Sequence, residues 1–209
     1  MMDPILVAYG EGKLNYFFSK GSSFIDLIPA DMVVNCMIVA AVAHANRHPC
    51  LAIYQLGSSF RNPLTMKGLA DLFFRYFSEK PLANNEGKPI RVRRLILLGN
   101  SLFFLFISWL FVLVIKVLRL ADMISMHLIQ GFVDRLDKNL TTTVKLVGVY
   151  KPYLCCDGIF KDDGTEELRL AARRNGVDET TLFFDPTIID WEDYFLRVHV
   201  PGVINVRKS

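Results

Sequence analysis

Asp26-Leu27-Ile28-Pro29-Ala30-Asp31-Met32-Val33-Val34-Asn35 is the stretch on which the fold turns. Pro29 has no N–H to leave unsatisfied, which suits the start of a helix, and the pattern predicts one running to about Asn46. Met32, Val33, Val34, Cys36, Met37 and Ile38 already cover most of its sides. A helix apolar all round is a buried one, and it needs a sheet to pack on. Arg47-His48-Pro49 stops it.

The neighbouring segments supply strand candidates. Ile5–Tyr9 is a short apolar run closed by a turn at Gly10-Glu11-Gly12, and Leu51–Leu56 reads as a strand ending at Gly57-Ser58-Ser59. Thr65 then caps an amphipathic helix in which Leu69, Leu72, Phe73, Tyr76 and Phe77 fall at offsets 0, 3, 4, 7 and 8. Lys67, Asp71 and Arg75 line its other side. Pro81–Pro89, with Asn84, Asn85 and Gly87, is a loop and the best internal boundary.

Leu95–Ile115 holds 21 residues without a charge, roughly 31 Å as one helix, about the thickness of a bilayer's hydrocarbon. Gly99-Asn100-Ser101 interrupts it and leaves 14 residues, Leu102–Ile115, a length that suits an interfacial, re-entrant or buried helix. Arg91, Arg93 and Arg94 precede the run, and Lys116 and Arg119 follow it. Beyond it, Ile124, Leu128, Phe132 and Leu136 continue a helical pattern, whereas Val144–Tyr150 and Pro152–Phe160 read as extended or loop. Asp163 and Glu166 have capping-box spacing before a helix Glu166–Asn175 that ends at Gly176. Asp190 caps a last short helix through His199, closed by Pro201-Gly202.

The chain of 209 residues is 52% hydrophobic and only 22% charged, which predicts a large core or a surface that meets lipid. Its 24 basic and 21 acidic residues leave a net charge of +3, too small and too scattered for a nucleic-acid partner. Cys36, Cys50, Cys155 and Cys156 form no CxxC pair, and with His44, His48, His127 and His199 dispersed no zinc spacing arises. The thiols read as reduced and buried, fitting a compartment that faces the cytosol. Met1-Met2-Asp3-Pro4 and the five apolar residues after it do not make a signal peptide.

Two patterns invite a catalytic or cofactor reading. Tyr16 and Lys20 have the Tyr-x-x-x-Lys spacing in which a lysine one helical turn on lowers a phenol's pKa for proton transfer. That chemistry needs a helix, and the glycines on both sides leave room for little more than one turn. Gly10 and Gly12 lack the third glycine of a dinucleotide loop, and Asp31 stands at a helix start instead of a strand end. His199, with Glu192 and Asp193 near it in sequence, reads as a capping or surface histidine. Taken alone, these residues name no catalytic, cofactor or metal site.

Longer motifs are more specific. Met1–Ile5, Tyr9–Leu14 and Asp26–Asn35, then Tyr54-Gln55-Leu56-Gly57-Ser58-Ser59 and Arg61-Asn62-Pro63, resemble the end of the reductase domain of plant-type alcohol-forming fatty acyl-CoA reductases. Tyr150–Tyr153, Gly158-Ile159-Phe160, Thr165–Arg169, Phe184-Asp185-Pro186, Ile189–Phe195, His199 and Pro201-Gly202 resemble that family's C-terminal domain. The match runs over about 1–65 and 136–205 and loosens over 80–135.

The resemblance implies an α/β remnant of an extended Rossmann-like reductase domain followed by a mainly α-helical C-terminal domain. It divides the chain into 1–80, the C-terminal part of the NAD(P)-binding domain, 81–135, an apolar helical connector, and 136–209, the C-terminal domain. Family members reduce long-chain acyl-CoA to the primary alcohol with NADPH. Their glycine-rich loop and Tyr-x-x-x-Lys pair lie upstream of the segment matching Asp26–Asn35. The expectation is therefore a chain with no catalytic, cofactor-binding or metal-binding residues of its own, which binds NADPH weakly at most and is inactive alone. Acyl-CoA as the family substrate, a membrane surface met by Leu95–Ile115, and a full-length reductase are the partners implied. The expected location is the cytosolic face of an intracellular membrane, the endoplasmic reticulum foremost. The alternatives are a non-catalytic binding or regulatory module and a plain membrane protein anchored by Leu95–Ile115.

Overall fold

α1 (Asp3–Gly10) opens the chain where its sequence predicts a strand. Pro4 fits the first turn and Asp3 meets the partial positive charge of the helix start, while Ile5, Leu6, Ala8 and Tyr9 are all buried. A run of five apolar residues has no period, so it cannot choose between a strand and a buried helix. The computed structural model describes residues 2–45, 51–84, 86–124, 128–154, 158–178 and 180–208. The readings made on Asn46 to Cys50, His127, Cys155 and Cys156 lie outside the described residues.

The chain is α/β, with helix at 61% dominating the four short strands found among the described residues. It divides into two compact units that interleave in sequence: 1–23, 66–156 and 192–209 make one, and 24–65 with 157–191 the other.

In the first unit β1 (Tyr16–Phe18) pairs in parallel with β4 (Ile96–Leu98), Phe17 opposite Leu97. α3 (Met66–Glu79) buries Leu69, Phe73, Tyr76 and Phe77 as its period predicts. Phe73 packs between Tyr9 of α1 and the Phe195 ring. The Leu95–Ile115 run proves to be two elements, β4 and α4 (Ser101–Ile124). Asn100 is a cap between them, its Oδ1 accepting the N–H groups of Leu102 and Phe103 at 2.9 and 3.1 Å. α4 therefore runs for 24 residues, well past the 14 expected.

α5 (Gln130–Leu154) replaces the extended or loop conformation predicted over Val144–Tyr150 and at the start of Pro152–Phe160. Val133, Leu140, Val147 and Tyr150 form its buried seam, while the predicted stripe of Ile124, Leu128 and Phe132 is exposed. Asp122 Oδ1 accepts the Ile129 N–H where the two long helices meet, and Arg119 pairs with Asp137 at 2.5 Å.

The last helix does not stop at His199. α7 (Trp191–Asp193), a π-helical turn (Tyr194–His199) and α8 (Val200–Lys208) follow one another without a break. Pro201 has no N–H for Arg197 and would crowd that carbonyl in a regular helix, so the wider turn relieves it. The Val200 N–H accordingly reaches back five residues to the Phe195 carbonyl.

The second unit holds α2 (Ala30–His44), the antiparallel pair β2 (Phe24–Ile25) and β3 (Leu64–Thr65), and α6 (Asp163–Arg174). Met32, Cys36 and Val39 of α2 pack with Leu168 and Phe184. The remaining apolar side of α2, including Val34, Met37 and Val42, is exposed, contrary to the burial expected all round. Leu51–Leu56 forms no ladder among the described residues, and Leu51 and Ile53 are exposed. Side chains hold it instead: Thr165 donates to the Gln55 carbonyl at 2.7 Å, and Tyr54 Oη lies 2.6 Å from His44 Nε2.

Candidate functional site

The densest polar constellation among the described residues lies in the second unit. It starts at Asp26, the first residue of the stretch that sets the fold. Its carboxylate accepts the Ser58 N–H at 2.6 Å and the Ser59 hydroxyl at 2.8 Å, and the Leu27 N–H donates to Ser58 Oγ at 3.2 Å. A Cβ at position 57 would fall 2.6 Å from Asp26 Oδ2, so only glycine lets that loop close on the carboxylate.

Arg61 follows on the same loop. Its Nε donates to both oxygens of the buried Asp162, at 2.9 and 2.7 Å. Arg169 forks onto Glu166 at 2.9 and 2.6 Å and reaches Asp185 at 3.2 Å. Asn62 donates to the carbonyls of Pro186 and Ile189 and accepts from the Trp191 indole. The charges answer one another. The hydrogen bond that Arg61 donates to Asp162 holds its guanidinium still more firmly protonated. The Arg169 fork lowers Glu166 below the usual carboxylate range against the opposing pull of burial. Burial pushes Asp185 upward, but Thr187 and Arg169 together outweigh it and leave it lowered.

With Glu166 and Asp185 both lowered and each carboxylate of the constellation already accepting hydrogen bonds or paired with arginine, it offers no available general acid or base at neutral pH. It acts as a clamp that fixes the 57–63 loop to α6 and to the 184–191 segment. A cavity of about 110 Å³ opens beside it, lined by Arg169, Ala172, Val177, Leu182, Phe183 and Phe184 among others. That is the space of three or four waters at about 30 Å³ each, far short of a long acyl chain.

The residues singled out for catalysis do not converge. Tyr16 lies on β1, not on a helix, so Lys20 is not brought one turn above it. Its ring stacks on Phe111, with centroids 5.5 Å apart, and burial pushes its phenol up against the milder opposing influence of the Ser108 hydroxyl. Neither of those oxygens completes a hydrogen bond in the structure. A catalytic tyrosine of the Tyr-x-x-x-Lys kind needs the opposite shift.

Gly10 ends α1 instead of following a strand, and a Cβ there would meet the Phe77 ring at 2.5 Å. Its smallness thus serves packing, and the Gly10-Glu11-Gly12 turn does not have the strand-to-helix setting of a dinucleotide's phosphate loop. His199 is half-buried inside the continuous C-terminal helix, with Nε2 3.1 Å from Asp3 Oδ1 and its ring stacked on Tyr194. Its sequence neighbours are engaged elsewhere, Glu192 with Arg75 and Asp193 with Arg197. Among the described residues no three His, Cys, Asp or Glu side chains gather as a metal would require.

The matches of this chain to known proteins run over nearly its whole length. No family model matches it. Its relatives are oxidoreductases: the chain is homologous over nearly its whole length to a C-terminal portion of fatty acyl-CoA reductases. An alcohol-forming fatty acyl-CoA reductase of Simmondsia chinensis is 42% identical over 205 residues, which cover 97% of this chain and 42% of the relative. Fatty acyl-CoA reductase 1 of Arabidopsis thaliana is 39% identical with the same coverage. The chloroplastic fatty acyl-CoA reductase 2 of that plant is 30% identical over 208 residues, 97% of this chain and 33% of the relative. The chain thus spans well under half the length of these relatives.

The clamp was not foreseen as a site. Arg61-Asn62-Pro63 and Thr165–Arg169 stood out as separate motifs, and 101 residues between Arg61 and Asp162 hid their pairing.

Proposed function

We propose that this chain serves the NADPH-dependent reduction of long-chain fatty acyl-CoA to a primary alcohol, as the C-terminal portion of a reductase, and is inactive by itself. The observation that supports this most is its 42% identity, over 97% of its length, to an enzyme named for that reaction. On this reading residues 1–80 are the end of a Rossmann-like reductase domain, 81–135 a membrane-associated connector and 136–209 the family's C-terminal domain. The dinucleotide and the proton-donating tyrosine are then supplied by a part of the reductase these residues do not form. The protein works at the cytosolic face of an intracellular membrane, taken to be the endoplasmic reticulum.

The exposed apolar side of α4, with Phe106, Trp109 and Leu113, favours a second reading, a non-catalytic membrane-associated module that binds or regulates a full-length reductase. One assay separates the two. Fatty alcohol formed from long-chain acyl-CoA and NADPH is measured for the purified chain, and for the chain co-expressed with the part of the Simmondsia chinensis relative that it does not cover. The first reading expects no alcohol from the chain alone and alcohol from the combination. Alcohol from the chain alone, lost in Tyr16→Phe, overturns the inactivity. No alcohol from the combination, with capture of an intact reductase, supports the second reading.

A further inference from the structure

Two opposite sides of α4 have different surroundings. Phe104, Ser108, Ile115 and Asp122 are its buried residues, and their intervals of 4, 7 and 7 trace a seam. Phe104 meets Tyr16 and Phe18 of β1, and α5 packs along the rest in a hairpin closed by the Arg119–Asp137 pair. At about 100° per residue, the side farthest from that seam carries Leu102, Phe106, Trp109, Leu113, Leu120 and Ile124. Each of these is exposed, Trp109 to 61%. Lys116 and Arg119 emerge on one flank, about 120° and 60° round from the seam. Lys116 has no ionic partner among the described residues, and the only carboxylate of α4, Asp122, is buried.

This arrangement discriminates among three surroundings. A core helix is covered on the side opposite its seam, and this one is not. A spanning helix would carry its partner with it, and α5 exposes Asp134, Arg135, Lys138 and Lys145 along its length. Those charges would enter hydrocarbon without partners. A helix lying flat meets both constraints, because seam and partner face water while the far side enters the acyl region.

We propose that α4 lies in the plane of a membrane, sunk into one leaflet along its Leu102–Ile124 side, and that Lys116 reaches the phosphates of anionic headgroups. This rests on the membrane association proposed above and adds its depth, its orientation and the lipid class it favours. A helix about 10 Å across, so placed, sets Trp109 below the headgroups and above the bilayer midplane.

The test uses the full chain, exchanged from detergent onto vesicles of phosphatidylcholine with or without phosphatidylserine and floated on a density gradient. The chain is expected to float, and Phe106→Glu/Leu113→Glu to lower the bound fraction by about tenfold or more. Lys116→Gln should weaken binding only to the phosphatidylserine vesicles, by about fivefold. Circular dichroism confirms that the variants keep their helix. Bromine high on the acyl chains should quench tryptophan fluorescence more than bromine near the midplane, a difference lost in Trp109→Phe.

Failure to float overturns the proposal, as does quenching strongest at the midplane. So does a lipid-free dimer in which Trp109 is shielded from acrylamide, since a second copy would then cover the face. No readout involves NADPH or acyl-CoA, so a failed flotation and a failed reductase assay are told apart.

Discussion

α3 and α4 are built from much the same residues, Leu and Phe above all, yet they use them in opposite ways. α3 interleaves Lys67, Asp71 and Arg75 with its apolar residues and buries Phe73 to 2% and Phe77 to 1% exposure within its own unit. α4 has no charge from Ser101 to Ile115 and leaves Phe106 54% exposed. An amphipathic period is satisfied by one neighbour, whereas a helix apolar all round asks for more surroundings than this chain supplies. α2 stands on the same side of the divide, with Val34, Met37 and Val42 exposed opposite Met32, Cys36 and Val39.

The comparison breaks if α3 contributes little to stability. Phe73 meets Tyr9 and Phe195 with ring centroids 6.5 and 5.9 Å away. Phe73→Ala should lower the unfolding free energy by about 3–5 kcal/mol, read as a shift in the urea midpoint. A loss below about 1 kcal/mol would mean that the site refills, and that burial in α3 is no guide to stability. Next in size is Arg61→Met in the clamp. It strands the Asp162 carboxylate, whose side chain is 3% exposed, and should cost about 3 kcal/mol. Arg61→Met/Asp162→Leu should recover part of that loss, because it removes the buried charge as well as its partner.

A smaller effect concerns acid. Glu166 and Asp185 are both lowered from ordinary values of 4.5 and 3.8, so the folded state holds these protons less tightly than the unfolded chain. Their contribution is fully present above the unfolded values and is lost as pH falls through the folded ones. The urea midpoint should hold level down to about pH 5 and then decline through pH 4. Arg169→Gln removes the first cause of the Glu166 shift and one of the charges that lower Asp185, so its decline should be shallower. An equal slope in both proteins would show that these carboxylates do not set acid stability.

How much was legible follows the range over which each signal acts. α3 could be read because its burial period lies within 14 consecutive residues. α1 could not, since Ile5–Tyr9 is apolar throughout and the deciding residues, Asp3 and Pro4, only favour a helix start. The second half of α5 reads as extended or loop in sequence, since Lys145, Gly148 and Pro152 blur a helical period that Val147 and Tyr150 nonetheless keep on its seam. Leu51–Leu56 had a strand's composition but no ladder partner among the described residues, and side-chain bonds from Thr165 and His44 hold it instead. The clamp needed the fold itself. Asp26 with Ser59, and Arg61 with Asp162, lie 33 and 101 residues apart, and nothing local in either motif names its partner.

The smallest expected effect is the sharpest probe of the divide between α3 and α4. Phe106→Ala removes a ring as large as that of Phe73, but from a side chain that is mostly in solvent. Its ring contact among the described residues, Trp109 at a centroid distance of 6.4 Å, is itself exposed, so no cavity forms when it goes. Losing a stacked pair costs about 0.5–1 kcal/mol, and alanine's better helix propensity returns about half a kcal/mol. The urea midpoint of the lipid-free protein in dilute detergent should therefore move by less than about 0.5 kcal/mol, the usual range for a surface position. Phe73→Ala, at equal side-chain loss, should move it several times further. A loss near 3 kcal/mol at Phe106 would show that protein covers this side of α4 in solution. The helix would then be part of a core completed by another chain, and the contrast with α3 would be one of partner, not of surroundings.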